Sequence, residues 1–357
     1  MDVSIAMATY NGARFLPEQL ESLRCQQHVP VELVVNDDGS TDETAEIVLQ
    51  FARTAPFAVS FERNPVRLGF ADNFLLAAAR CRGDVVAFCD QDDVWHPTKL
   101  ARAVAVLALE PEVALVGHDA TLVDAEGRPT GVLRHKAPAG RSPGWALLPQ
   151  AFFFGLTMTF RRELLELVPD TQRPFDLVDP ARPLAHDRWV SFLAAISADV
   201  YFINESLVDY RQHDTNASGG MTSGRGWVAV VDAARTKFGY TVMKQLAYVQ
   251  RELALVRQVV TDDAPTAARL ERALDVLEGH ERQLRLRFAI PRAASRPRRF
   301  AAVVTAWRGS AYGREGLAEG PVLRVLRDLA LATIAAPGQE QRARALLGPR
   351  APDPRNL

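Results

Sequence analysis

Residues 84–100 read DVVAFCDQDDVWHPTKL, and the succession of strand, acidic cluster and helix start in this stretch decides how the chain folds. Asp84-Val85-Val86-Ala87-Phe88 is a short apolar run of strand length. His96-Pro97-Thr98-Lys99-Leu100 carries a proline where a helix opens. Between them, Cys89-Asp90-Gln91-Asp92-Asp93-Val94-Trp95 sets three carboxylates within four residues. Like charges at the end of a buried strand repel one another, and desolvation disfavours each of them. A divalent cation removes that cost: Mg²⁺ and Mn²⁺ take oxygen ligands, commonly one or two carboxylates together with substrate phosphates. The competing reading is a polar turn and helix N-cap, where aspartate is common.

Working outward, the preceding sequence repeats the same succession. Residues 3–8 read as a buried strand that ends at the polar turn Thr9-Tyr10-Asn11-Gly12, and 14–26 carry Phe15, Leu16, Leu20 and Leu23 at helical spacing. Strand 31–36 ends at Asp37-Asp38-Gly39-Ser40-Thr41-Asp42, which caps a helix over 43–53. A weaker strand over 57–62 and a helix over 69–81 follow, leading into strand 84–89. Alternating strands and helices argue an α/β fold with a parallel sheet wrapped on both sides. Ligands in such sheets bind outside the carboxyl ends of the strands, so Thr9 to Asn11, Asp37-Asp38 and Asp90 to Asp93 are expected to converge on one crevice. Loops at strand ends are polar in any protein, but this density of aspartate is not what a loop alone requires. Neither GxGxxG after the first strand nor GxxxxGK[ST] occurs, so the dinucleotide and P-loop fingerprints are absent. The glycine-rich loop followed by Lys or Arg that a nucleotidyltransferase would use on a triphosphate is also missing.

Composition narrows the class. The 357 residues suit about two domains, and 48% hydrophobic with 24% charged residues is an ordinary globular balance. A net charge of −1 gives no general attraction to nucleic acid. Cys25, Cys81 and Cys89 form neither a zinc pattern nor a disulfide framework, which fits a reducing compartment. The N-terminus enters a strand with no basic n-region or apolar h-region, so no signal peptide is expected. The apolar stretch from Trp145 to Phe160 is interrupted by Pro149 and Gln150 and is too short to span a bilayer. A cytoplasmic protein, peripheral at the inner face of the cell membrane, is the expectation.

Thr9-Tyr10-Asn11-Gly12, VVNDDGSTDET (34–44) and CDQDDVWHPTKL (89–100), in this order and spacing, resemble family 2 glycosyltransferases of the GT-A fold over roughly residues 1–215. Ala185-His186-Asp187-Arg188-Trp189 sits where that family has an acidic catalytic residue opening a helix. DYRQHDTN (209–216) is similar to the YRxHxxN element of its bacterial rhamnosyltransferase-like members, and Phe154 to Arg162 resembles the acceptor-side segment. The resemblance implies a GT-A domain over 1–226, with a nucleotide-sugar half at 1–119 and an acceptor half at 120–226. It implies that Asp38 hydrogen-bonds a pyrimidine base and that Thr9 and Asn11 lie in the base-binding turn. Asp90 would lie near ribose or metal, Asp92 and Asp93 would hold the metal, His213 would lie near diphosphate or metal, and Asp187 would be the general base. The nucleotide-sugar set is then Thr9, Tyr10, Asn11, Asp37, Asp38, Asp90, Gln91, Asp92, Arg211 and His213, and the metal set is Asp92, Asp93 and His213. The implied activity is inverting transfer from a UDP- or dTDP-sugar, with rhamnose suggested by 213–216, to a glycan or lipid-linked acceptor with Mg²⁺ or Mn²⁺. The chain departs from the family where many members have Glu-Asp in place of His186-Asp187, and at Ala8, where some carry a hydroxyl.

The chemistry of such a transfer asks for the same groups: a neutralised leaving diphosphate, a base in reach of a hydroxyl, and no second carboxylate as nucleophile. Asp187 alone would read as an N-cap and His213 as a surface histidine, while Arg67, Asp72 and Asn73 read equally as nucleotide contacts or as a solvated helix start. His118 and Asp119 are expected to end a strand over 113–117, and Trp95 to pack beneath the acidic loop. The alternative class is a non-catalytic nucleotide-sugar or glycan-binding scaffold of the same fold.

From residue 227 the pattern is all helical to 337, with helices over 227–261, 264–288, near 298–307 and 321–335, and a disordered tail over 338–357. Leu246, Val249, Leu253, Val256 and Val260 make one apolar stripe. Residues 282–308 hold eight arginines and no acid, with Phe288, Phe300 and Trp307 interleaved and Pro291 and Pro297 as breaks. Such a face is either simply solvated or suited to an anionic membrane surface. Nucleic acid is not expected as a partner, because no recognised module accompanies it.

Overall fold

The computed structural model describes residues 1–135, 138–149, 153–176, 181–213, 244–292 and 296–308. The chain divides into two compact units, one of residues 1–147, 151–173 and 184–221 and one of 148–150, 174–183 and 222–357.

The first unit is a ten-stranded sheet with helices packed against it. In chain order it runs β1 (Val3–Thr9), α1 (Leu16–Arg24), β2 (Glu32–Asp37), α2 (Thr44–Ala52), β3 (Ala58–Arg63), α3 (Phe70–Ala79), β4 (Val85–Cys89), β5 (Val94–Trp95), α4 (Lys99–Leu109) and β6 (Val113–Val123). It continues through β7 (Pro129–Leu133), β8 (Gly140–Pro143), β9 (Thr159–Arg161), α5 (Leu164–Leu167), α6 (His186–Ser197) and β10 (Asp199–Arg211). The sheet order is β3-β2-β1-β4-β9-β6-β10-β5. The strands β3, β2, β1 and β4 are parallel throughout, as the alternating sequence requires. They are apolar runs because both sheet faces are covered: Val3, Ile5, Met7, Leu33, Val35 and the whole of β4 are buried. The edge strand β3 alternates exposed and half-buried positions, which explains its weaker signal.

The second half of the sheet is mixed. β9 lies antiparallel between β4 and β6, β10 runs parallel to β6, and the two-residue β5 pairs antiparallel with β10. Strand β6 continues to Val123, so His118 and Asp119 lie within it and are buried, and do not end it at residue 117 as expected. The short strands β5, β7, β8 and β9 had no expectation at all.

In the second unit, helix α7 (244–256) buries Leu246, Val249, Leu253 and Val256. Val260 does not extend that stripe; it lies beyond the helix and is 91% exposed. α8 (Ala264–Arg292) buries Leu270, Ala273, Leu277 and Leu284, and α9 (Arg296–Arg308) buries Val303 and Ala306. The proline at position 291 falls in the last turn of α8, and Pro297 in the first turn of α9, where its missing N–H is harmless. The expected helix over 321–335, the part 227–243 of the first helix and the tail 338–357 lie outside the described residues.

Phe88, the penultimate residue of β4, packs against Phe74 of α3 and Phe160 of β9, with ring centroids 5.4 and 5.0 Å away. Phe88→Ala is therefore expected to cost about 3–5 kcal/mol, read as a lower urea midpoint of the first unit at an unchanged m-value.

Candidate active site

The carboxyl ends of β1, β2 and β4 lie side by side, because Thr9 is in register with Asp37 and Met7 with Cys89. Their loops are laced together by side chains. Asn11, in the left-handed region at φ 49°, donates its N–H to Ser40 Oγ and accepts from Thr41 N–H, both at 2.9 Å. Asp37 is fully buried and accepts from Thr9 Oγ1, from Ser40 and from Arg63 Nε, so it ties these turns together. Asp38 accepts from the N–H groups of Leu68 and Gly69 and from Asn64 Nδ2, holding the loop ahead of α3 over the strand ends. Tyr10 is 37% exposed and carries the Arg67 guanidinium 3.9 Å above its ring. The Gln91 amide accepts from Tyr10 N–H and donates to Tyr10 O, clipping the acidic loop to this turn. A Cβ on Gly12 would lie 2.2 Å from Gln91 Oε1, so a side chain there would displace the Gln91 amide from Tyr10.

The acidic loop is closed from the far side by β10. Pairing of Asp209 with Val94 and Val208 with Trp95 brings residues over one hundred positions apart together. Arg211 is 3% exposed; its N–H donates to Asp93 Oδ1, its Nε to Asp92 O and its Nη2 to Glu18. His213 Nε2 lies 2.8 Å from Asp92 Oδ2, and its ring packs on Phe15. Asp214, Thr215 and Asn216 lie outside the described residues. Asp93 is fully buried, and its Oδ2 has no hydrogen-bond partner. Burial, then the charges of Asp92 and Asp187, push the Asp90 carboxyl up to about 7. Burial, then Asp92 and Asp90, push Asp93 well above the ordinary carboxylate range. Beneath the loop, the fully buried Lys99 ammonium lies 3.8 Å over the Trp95 ring and donates to Leu156 O; burial lowers it to about 8. Trp95 itself is buried beneath the loop.

Asp187 is the second residue of α6, and its influence on Asp90 puts it in electrostatic contact with the acidic loop. Its carboxylate accepts from Arg188 N–H at 2.7 Å and from Gly155 N–H, yet burial outweighs these bonds and raises it to about 6. Gly155 belongs to a single 3₁₀ turn, Gly155–Thr157. A Cβ there would lie 2.6 Å from His186 Nε2. His186 is buried and stacked on Phe74 at 4.2 Å, with both ring nitrogens lacking a partner. Burial and the nearby Arg173 charge hold it neutral, near 3. Arg173 pairs with Asp72 and donates to Leu184 O, fixing the chain that enters α6. On the other side of the turn, Thr157 Oγ1 meets His135 Nε2 at 3.0 Å. The structure thus brings the resemblance-implied residues to one end of the sheet. Lys99 and Gly155 are not legible as site residues from the sequence: a lysine at a helix start and a glycine before a strand carry no signal of their own.

The chemistry of the acidic loop fits a divalent cation: three crowded carboxylates, an orphaned buried Asp93 oxygen and an imidazole on Asp92. Among the described residues no group of three or more His, Cys, Asp or Glu is arranged to hold a metal by itself. The residues that could hold one are Asp90, Asp92, Asp93 and His213.

Residues 4–167 match the family model described as Glycosyl transferase family 2. An uncharacterized glycosyltransferase of Nostoc is 31% identical over 224 residues, covering 60% of this chain and 66% of the relative. A dTDP-rhamnosyl transferase of Shigella flexneri is 34% identical over 105 residues, covering 28% of this chain and 36% of the relative. The chain thus spans less than two thirds of either relative's length. Staphylococcus aureus TarS 1–349, solved with UDP-GlcNAc, is similar in structure at a TM-score of 0.53 and 16% identity, covering 97% of this chain and 92% of that one. The fold is GT-A.

Asp90, Asp93 and Asp187 hold protons in the folded chain that they lose when it unfolds. Native stability without a cation therefore falls as pH rises from about 4, the ordinary carboxylate value, to about 7. Excess Mn²⁺ is expected to raise the thermal midpoint at pH 7.5, a value of about neutral pH, by binding the ionised native carboxylates. The gain should shrink in acid and be absent in Asp92→Asn, read by thermal unfolding with and without the ion.

Proposed function

We propose, from the match of residues 4–167 to the model of glycosyl transferase family 2, that this chain is an inverting, metal-dependent glycosyltransferase acting on a pyrimidine nucleotide-diphosphate sugar. The observation that carries the proposal is Asp187: a carboxyl raised to about 6, oriented by two backbone N–H groups and in electrostatic contact with the acidic loop. A binding scaffold needs no such poised base.

Each remaining group has a part. Tyr10 and Arg67 offer an exposed ring and guanidinium to the base, while Thr9, Asn11, Asp37 and Asp38 shape the turns beneath it. Gln91 fixes the acidic loop against Tyr10, and Arg211 fixes it against β10. Asp90, Asp92, Asp93 and His213 would hold Mg²⁺ or Mn²⁺, which when bound neutralises the leaving diphosphate. Asp187 accepts the acceptor hydroxyl proton as the oxygen attacks the anomeric carbon from the face opposite the diphosphate. One displacement inverts the configuration, and no second carboxylate is required as nucleophile. The Shigella relative's name supports rhamnose from dTDP-rhamnose as the transferred sugar. A glycan or lipid-linked acceptor of bacterial surface polysaccharide is the proposed acceptor. The proposed location is the cytoplasmic face of the membrane, where the eight arginines of 282–308 would meet anionic lipid. Among the described residues no helix is long and apolar enough to cross it.

A panel of UDP-, dTDP- and GDP-sugars, assayed for binding and donor hydrolysis with and without Mn²⁺ or Mg²⁺, tests this reading. Metal-dependent turnover of one pyrimidine donor is expected, with kcat rising through about pH 6 as Asp187 loses its proton. Asp187→Asn should lower kcat by about 10²–10⁴ with little change in donor KM. Donor binding without turnover in the presence of acceptor glycans would instead favour the scaffold.

A further inference from the structure

Lys99 poses a physical question that the proposed reaction does not answer. An ammonium with no exposed surface is costly unless charges and hydrogen bonds compensate it. Lys99 has one hydrogen bond, to Leu156 O, and the face of Trp95. Its charge also acts on Asp90 and Asp93, so it lies against the underside of the acidic loop. An apolar side chain would fill the same space at the start of α4 without that cost.

What a lysine adds is a link. The carbonyl it holds belongs to the Gly155–Thr157 turn, and the same turn delivers the Gly155 N–H to Asp187. The turn is tied on its flanks as well: Phe153 N–H donates to Ser191 Oγ of α6, and Thr157 Oγ1 meets His135. Thus one short segment touches the base through its first residue and the acidic loop's buried cation through its second. Gly155 has no room for a side chain, so the turn cannot shift toward His186 to absorb slack.

We infer that Lys99 is a positioning residue, a strut that sets the separation between the acidic loop carrying the donor diphosphate and the Asp187 carboxylate. The inference rests on the reading of Asp187 as the base. The reaction needs both groups at once, one on the leaving oxygen and one on the attacking hydroxyl, on opposite faces of the sugar. Their spacing is set by the protein that joins them.

Lys99→Met keeps the length and removes the ammonium. Leu100→Ala, at the next, buried position, is the control for simple loss of stability. The expected result for Lys99→Met is a transfer kcat lowered about 100-fold, as a misplacement of about 1 Å produces, with donor KM and folded far-ultraviolet dichroism retained. Leu100→Ala should lower the thermal midpoint and leave kcat per folded molecule unchanged. Wild-type kcat in Lys99→Met, or a loss of kcat that Leu100→Ala reproduces at equal loss of midpoint, overturns the strut. If the wild-type chain turns over no donor at all, the proposed function fails, and hydrogen exchange still decides the strut. The amides of Gly155 and Arg188, both bonded to Asp187, should then exchange faster in Lys99→Met than in wild type; unchanged exchange overturns it.

Discussion

The crowding of three carboxylates at the end of β4 is the constraint on which the first unit depends. Asp90, Asp92 and Asp93 occupy a loop whose inner side chains are cut off from water, and burial raises Asp90 and Asp93 away from the charged form. Such an arrangement persists only if the backbone around it is held rigidly. Here the restraint comes from two directions: Gln91 fastens the loop to Tyr10 after β1, and Arg211 fastens it to the end of β10. Buried cations, Lys99 and Arg211, accompany the acids without neutralising all of them. A cation bound there would take the place of the protons that burial leaves on Asp90 and Asp93.

The sheet order explains how residues far apart in sequence meet. The parallel half sets three loops at one end of four adjacent strands, the usual position for a ligand in an α/β sheet. The mixed half contributes differently. It inserts β9 beside β4, which puts the Gly155–Thr157 turn and the start of α6 next to the acidic loop, and it pairs β10 with β5, which closes that loop. The acidic loop thus comes from the first half of the unit and Asp187 from the second.

Much of this was legible in the sequence, and the reasons are specific. β1, β2 and β4 are buried on both faces and appear as unbroken apolar runs, so their ends and the polar loops after them could be read directly. Asp187 could be located because it opens a helix in a recognisable context. What escaped notice was whatever depends on tertiary approach. β5 has two residues and no periodicity; β7 and β8 are mostly exposed and carry no apolar pattern. Strand β6 was stopped short at Gly117, because His118 and Asp119 look like loop residues yet are buried in the sheet. Lys99 looks like an ordinary helix residue, and only the structure reveals that its head is wholly enclosed. Asp37 and Asp38 were visible as acids, but their hydrogen bonds to Arg63, Leu68 and Gly69 are not written in their spacing.

The pairing of β5 with β10 has a consequence for how the molecule is made. A ribosome delivers the chain from its N-terminus, and domains begin to form as they emerge. The strands β1 to β4 are complete within the first 89 residues and can pair among themselves. The partner of Val94 and Trp95 arrives only with Val208 and Asp209, after a loop of more than one hundred residues has been synthesised. Closing so long a loop is entropically slow to be rewarded. The acidic loop therefore stays open to water while the residues up to Asp209 are made, and its carboxylates are solvated and repel weakly meanwhile. The costly burial can follow only once β10 is made, so strands β1 to β4 can pair without bearing it.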